Sequence, residues 1–342
     1  MADKATVLVT GGSGYIGGWC VVGLLQQGYR VRATVRNPGR EAEVRAALGK
    51  AVEIGEALSF HAADLMSDAG WDEAVAGCDY VLHVASPLGV AEPKDPNDLI
   101  TPAREGARRV ISAAIRAGVK RVVQTSSVAA TSKPPGGPDS VCDETQWTDP
   151  ALPKVSAYAQ SKTLAERAAW ELVGQSAGAT TLATVNPSLV LGPVLGHDFS
   201  ESVQVVERLI TGRVPGLPRL GFNIVDVRDV ADLHIRAMTD PAAAGERFIA
   251  AGQWAWMGDL ADLLRRSLDP AHAAKVPTRK APDFVIRLAG LFDRDIASVA
   301  GGLGLKHDVT SAKAQRVLGW KPRPMEETVL DCARSLIAEG AV

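Results

Sequence analysis

Residues Thr10 to Gly17 read T-G-G-S-G-Y-I-G, between the apolar run 6–9 and the helix-like stretch 19–27. A glycine-rich turn that joins a strand to a helix suits very few folds, because it brings backbone amides up to a bound anion. At such a turn Gly11 can take a backbone conformation closed to other residues. Gly14 lets the main chain approach phosphates, and Gly17 lets the helix press against the strand. The helix N-terminus adds unpaired N–H groups and a positive dipole end. The turn therefore points to a dinucleotide's pyrophosphate, with Gly11, Gly14, Tyr15, Ile16 and Gly17 as the expected contacts.

From Ala5 to about Val190, short β-branched apolar runs alternate with longer amphipathic stretches, as in parallel βαβ units. The pattern predicts strands at 6–10, 30–35, 58–62, 80–84, 121–125 and 181–186, with the clearest helices at 99–117 and 158–175. The segment K-P-P-G-G-P at 133–138 can continue neither element and reads as a loop beyond a strand end. Past Gly192 the pattern turns irregular and proline-punctuated. The expected fold class is thus α/β, a Rossmann-type doubly wound parallel sheet with a smaller C-terminal substrate lobe. Residues 1–192 would form the nucleotide domain, with a return segment near 222–240, and 193–342 mainly the lobe.

Composition narrows the function. With 342 residues, 46% of them hydrophobic, the chain can bury a substantial core, and a formal net charge of −2 gives no basic field for nucleic acid or an anionic membrane. The four cysteines are too scattered for a zinc ribbon or a redox pair and read as reduced thiols. The first predicted strand begins at Thr6, which leaves no room for a signal segment, and no apolar stretch reaches the ~18 residues that would span a bilayer. A cytoplasmic protein is expected. His83, His197 and His234 lack the mutual spacing of metal ligands, so no metal is expected.

The second predicted strand closes in R-V-R-A-T-V-R-N-P, where a fold selective for the unphosphorylated ribose usually carries Asp or Glu. No acid is present. Alternation brings Arg36 out at the strand's C-terminal end, where a guanidinium fork suits a 2′-phosphate. NADPH/NADP+ is therefore expected over NAD(H). A merely solvated charge is the competing account, and it suits Arg40 better than Arg36. After the third strand, Asp64 and Leu65 could bracket the adenine edge, or Asp64 could simply be exposed.

The chemistry points to Y-A-Q-S-K. Tyr158 and Lys162 are four residues apart, so on a helix they share one face, and the ammonium can sit beneath the phenol and beside the ribose hydroxyls. A close cation is expected to make the phenol more acidic. By itself the spacing also fits packing plus a solvated charge. What changes the balance is T-S-S at Thr125 to Ser127, which follows a predicted strand of the same sheet and could bring a hydroxyl to the same carbonyl oxygen.

At this point the sequence resembles the extended short-chain dehydrogenases/reductases, in the dihydroflavonol reductase and cinnamoyl-CoA reductase-like branch that includes microbial aldehyde and ketone reductases. The resemblance rests on V-T-G-G-S-G-Y-I-G-G-W from Val9, V-R-A-T-V-R-N-P from Val31 and H-V-A-S-P from His83. It continues through T-S-S, Y-A-Q-S-K-T-L-A-E from Tyr158, N-P-S-L-V-L-G-P from Asn186 and D-V-R-D-V-A-D from Asp226. It implies Ser127, Tyr158 and Lys162 as the catalytic trio. Thr125 would join Tyr158 and Lys162 at the cofactor, with Ala85 against it and Pro187 and Val190 near the nicotinamide ring. It further implies that Asp226 to Asp232 returns to the nucleotide domain. One departure counts against a flavonoid substrate: where the plant enzymes generally have a flavonoid-contacting Asn, this chain has Ser132.

The function expected is an NADPH-dependent carbonyl reductase, acting reversibly on an aldehyde or ketone as a small-molecule substrate. Its alternatives are a sugar-nucleotide epimerase, a hydroxysteroid dehydrogenase-like enzyme, or a non-enzymatic NADP-binding regulator. N-P-S-L-V-L-G-P matches epimerases poorly, and regulators often lose the Tyr and Lys pair. A homodimer is compatible with the branch.

Overall fold

The structure, a computed structural model, describes residues 4–87, 93–131, 140–153, 155–292 and 300–342. The proline-rich segment 133–138 and Ser132 lie outside the described residues. Seven parallel strands make the main sheet: β1 (Thr6–Thr10), β2 (Arg30–Val35), β3 (Leu58–Ala62), β4 (Tyr80–His83), β5 (Arg121–Thr125), β7 (Thr181–Pro187) and β10 (Arg247–Ala250). Their order is β10-β7-β5-β4-β1-β2-β3. The chain runs outward from β1 through β2 and β3, then returns to lay β4 on β1's other side. In open α/β sheets such a reversal is where a ligand crevice forms, at the carboxyl ends of the strands.

The period of two in β1 builds both layers. Val7 and Val9 enter a core shared with α1 (Tyr15–Gln26), whereas Leu8 enters another with Trp71, Val110 and Ile111. All three side chains are fully buried. The second layer contains α3 (Trp71–Val75) and α4 (Asn97–Arg116), with α5 (Ala157–Gln175) packed along α4. The first layer is completed by α7 (Val227–Thr239), which packs against α1. Between them in sequence fall α2 (Glu41–Leu48) and α6 (Glu201–Ile210).

Six strands fall where the apolar runs predict, to within a residue. The seventh, β10, is new: R-F-I-A is too short to show a period, and it joins the sheet by pairing with β7 in the register Arg247 with Thr184. Beyond the main sheet, β8 (Leu189–Leu191), β9 (Gly221–Asp226) and β11 (Trp254–Trp256) form a three-stranded sheet, and β6 (Ser140–Cys142) pairs with β12 (His307–Val309). Asp226 caps α7, accepting from the Arg228 amide at 2.8 Å, and the Arg228 guanidinium bridges it to Asp331 at 2.8 Å. D-V-R-D-V-A-D therefore turns the chain back onto α1.

Candidate active site

Along the carboxyl edge of the main sheet, six of the seven parallel strands deliver the expected residues. β1 ends in the glycine turn, β2 in Arg36, β3 leads to Asp64, β4 to Ala85, β5 to Ser126 and Ser127, and β7 closes on Pro187.

At the turn, Gly11 adopts a φ of +69°, and a Cβ there would press to 3.0 Å from the Ala85 Cα. A Cβ on Gly17 would lie 2.1 Å from the Gly11 carbonyl oxygen. Gly14 is the N-cap of α1, with no capping side chain and no acid in the first turn. Nothing in the helix's own sequence neutralises its N-terminus, as an anion site requires. Ile16 is half-buried against the core. Tyr15 sends its side chain inward, where its hydroxyl donates to the Gly192 carbonyl at 2.8 Å.

Arg36 stands exposed just beyond β2 with no acid beside it in sequence. Arg40, which sequence reasoning assigned to solvent, borders a hollow lined by Gly12, Ser13, Gly14 and the segment 195–198. Its guanidinium spans to Glu43 at 2.7 Å and Asp198 at 3.2 Å. Asp64 is half-buried rather than exposed: its carboxylate accepts from the Met66 amide at 2.9 Å and fixes the turn after β3. The next residue, Leu65, packs against Gly106, and its carbonyl accepts from Arg109 at 2.8 Å.

Across the crevice the Ala85 amide donates to Thr10 Oγ1 at 3.0 Å, and that hydroxyl lies 2.9 Å from His83 Nδ1. Burial, helped by the nearby Lys162 charge, pushes His83 down to about 3, so its ring is neutral near pH 7. Thr125 bonds a distant side chain. His234 Nδ1 must donate to the Val230 carbonyl at 2.7 Å, so its neutral ring offers Nε2 to the Thr125 hydroxyl at 2.7 Å. The Thr125 proton is thus donated to His234, a pairing 109 residues long that no local pattern announces.

Ser156 caps α5, its Oγ accepting from the Ala159 amide at 3.2 Å, and this places Tyr158 in the first helical turn. One turn on, Lys162 is only 7% exposed, with Nζ 5.7 Å from the Tyr158 ring centroid. Ser127 meets them from the sheet. Its Oγ accepts from the Ala129 amide at 3.1 Å, which leaves its proton free to bond the Tyr158 phenol oxygen. Pro187 and Val190 are both buried, on β7 and β8. Burial pushes the phenol's pKa up, the Ser127 hydrogen bond pulls it down, and the Glu201 carboxylate raises it. Of the groups that act on the phenol here, Ser127 is the one that lowers it. Burial also acts on Lys162, lowering it to about 8.

The family model described as "NAD dependent epimerase/dehydratase family" matches residues 7–251. The chain belongs to this family. Within it, cinnamoyl-CoA reductase 1 of Petunia hybrida is 38% identical over 265 residues, 76% of each chain. An anthocyanidin reductase of Vitis vinifera is 37% identical over 290 residues, covering 80% of this chain and 83% of the relative. Among solved structures, yeast methylglyoxal/isovaleraldehyde reductase Gre2 complexed with NADPH aligns with a TM-score of 0.82 and 27% identity, over 98% of this chain and 100% of that one. This member of the family thus sits among reductases, as its motifs implied. Among the described residues no helix is long and apolar enough to cross a membrane, and no three side chains group as a metal site.

Proposed function

We propose that this chain is an NADPH-dependent reductase of aldehydes or ketones, with Ser127, Tyr158 and Lys162 as its catalytic residues. The observation that carries the reading is their convergence: the Ser127 hydroxyl acts on the Tyr158 phenol and lowers it, the phenol ring lies 5.7 Å from the buried Lys162 ammonium, and the glycine cradle stands at the sheet's reversal point. The cradle fits a pyrophosphate because Gly14 leaves the N-terminus of α1 uncapped and Gly11 and Gly17 have no space for a Cβ, and Arg36 fits a 2′-phosphate. The relatives support the choice, being reductases by name, and Gre2 is complexed with NADPH.

Bound in this crevice, the reduced nicotinamide supplies a hydride to the carbonyl carbon. Ser127 holds the carbonyl oxygen, and Tyr158 gives its proton to that oxygen as the C–H bond forms. Lys162, cationic below pH 8, steadies the phenolate that results and holds the ribose hydroxyls. Water then returns a proton to the phenolate. The reverse sequence oxidises an alcohol. The described cysteines, all free and buried, fit a reducing compartment such as the cytoplasm.

The test is consumption of NADPH, then NADH, with a panel of aldehydes, ketones and acyl-CoA thioesters. Net oxidation of NADPH with an aldehyde or ketone is expected. An epimerase or a regulator would consume neither coenzyme.

A further inference from the structure

Tyr158, Lys162 and Glu166 recur at every fourth residue of α5 and so share one stripe of that helix. Glu166 has no part in the proton and hydride chemistry, yet its side chain is fully buried. Its Oε1 accepts from Arg247 Nε at 2.7 Å and Thr184 Oγ1 at 3.0 Å. Its Oε2 accepts from Ser126 Oγ at 2.5 Å and Asn186 Nδ2 at 3.0 Å.

Desolvating a carboxylate and a guanidinium is costly, and two well-packed apolar side chains would tie α5 to β10 without that cost. What the pair holds, however, is the chain around Ser127. Ser126 precedes it directly and is gripped through its hydroxyl. Asn186 spends its second amide proton on the Ser127 carbonyl, at 3.1 Å. Arg247 stacks its guanidinium 3.7 Å from the Trp147 ring centroid and donates to the carbonyls of Glu144 and Gln146, both at 2.8 Å. Its other end reaches the Ala130 carbonyl at 3.4 Å, at the close of the short helical turn that Ser127 caps. The same α5 stripe therefore carries the phenol at one end and, at the other, the anchor of the serine that bonds it.

We propose that Glu166 is a positioning residue: through Ser126 and Asn186, and clamped by Arg247, it fixes the Ser127 hydroxyl against the Tyr158 phenol. This rests on the catalytic roles given above to Ser127 and Tyr158. A geometry shared between one helix and two strands lets the hydroxyl and the phenol move as one body.

The test compares Glu166→Gln, Ser126→Ala and Tyr158→Phe in the full chain. Ser126→Ala removes one anchor and leaves the buried ion pair whole, so it decides the matter if Glu166→Gln fails to fold. A misplacement of the serine predicts a fall in kcat of about 10-fold for Ser126→Ala and about 100-fold for Glu166→Gln, with KM for the carbonyl little changed. The alkaline limb of the kcat–pH profile should also move to higher pH, because a loosened Ser127 no longer lowers the phenol. A purely structural role would lower the melting temperature without moving that limb. Wild-type kcat and pH profile in Ser126→Ala, or a loss seen only in KM or stability, would overturn the inference while an inactive Tyr158→Phe left the catalytic reading standing. Full activity in Tyr158→Phe would instead overturn the catalytic reading itself.

Discussion

Replacing Lys162 by Met should stabilise the coenzyme-free protein at neutral pH while removing its activity. Burial lowers this lysine from its usual 10.5 to about 8, and among the described residues no hydrogen bond or carboxylate offsets the loss of water. At ~1.4 kcal/mol per pH unit, holding the charged form in the fold costs about 3 kcal/mol at pH 7. The sign follows from proton counting. Between pH 8 and 10.5 the unfolded chain keeps a proton that the folded chain has lost, so stability rises with pH across that window. Below pH 8 both states are protonated and the penalty is complete. Methionine fills a similar volume without charge. With an unfolding entropy of ~2 cal/mol/K per residue over 342 residues, the variant should melt about 4 °C higher at pH 7. Its advantage should shrink steadily from pH 8 to 10.5, as measured by denaturant titration of both proteins side by side. A variant that melts at or below the parent at pH 7, or an advantage independent of pH, would refute the claim that the site stores this cost for its chemistry.

Arg36→Ala should weaken NADPH binding by about 10- to 100-fold, the value of a charged hydrogen-bonded contact, and leave NADH binding unchanged; fluorescence titration of both coenzymes measures it, and equal losses would place the 2′-phosphate elsewhere. Gly17→Ala forces a Cβ to 2.1 Å from the Gly11 oxygen, so coenzyme binding should collapse and stability fall by about 1–3 kcal/mol; a variant that binds NADPH normally would contradict the tight turn. His234, which burial pushes down to about 4, binds its proton more weakly in the fold than in the unfolded chain, so stability is lost as pH falls from 6.5 towards 4. In His234→Gln that acid decline should be shallower, by up to about 1.4 kcal/mol per pH unit, and an unchanged slope in denaturant titrations would count against a neutral buried ring.

Local pattern carried much of this molecule. The six apolar runs became strands because each is long enough to show its period, and Thr10 to Gly17 announced its turn through glycines that have steric reasons to be there. Tyr158 and Lys162 were legible because four residues on a helix guarantee a common face. The same rule would have flagged Glu166, but only as another residue of the stripe. Its partner Arg247 stands 81 residues away on a strand of four residues, and no periodicity joins them. Tyr15 and Thr125 show the limit from the other side. Motif position places both at the coenzyme and says nothing of the hydroxyl bonds they make to Gly192 and His234. Arg40 reached the glycine turn's side through Asp198, a partner 158 residues on. Long-range pairings of this kind follow from the packed fold.

On the proposed mechanism, hydride passes to a carbonyl carbon while Tyr158 supplies the proton. Incubating the enzyme with an accepted aldehyde or ketone and NADPH carrying deuterium at both C4 positions lets the label be followed into the product. Deuterium is expected on the carbinol carbon, with Tyr158→Phe slowing its appearance by about 100- to 10,000-fold. An alcohol without deuterium, or a Tyr158→Phe variant that transfers it at the parent's rate, would contradict the proposed mechanism.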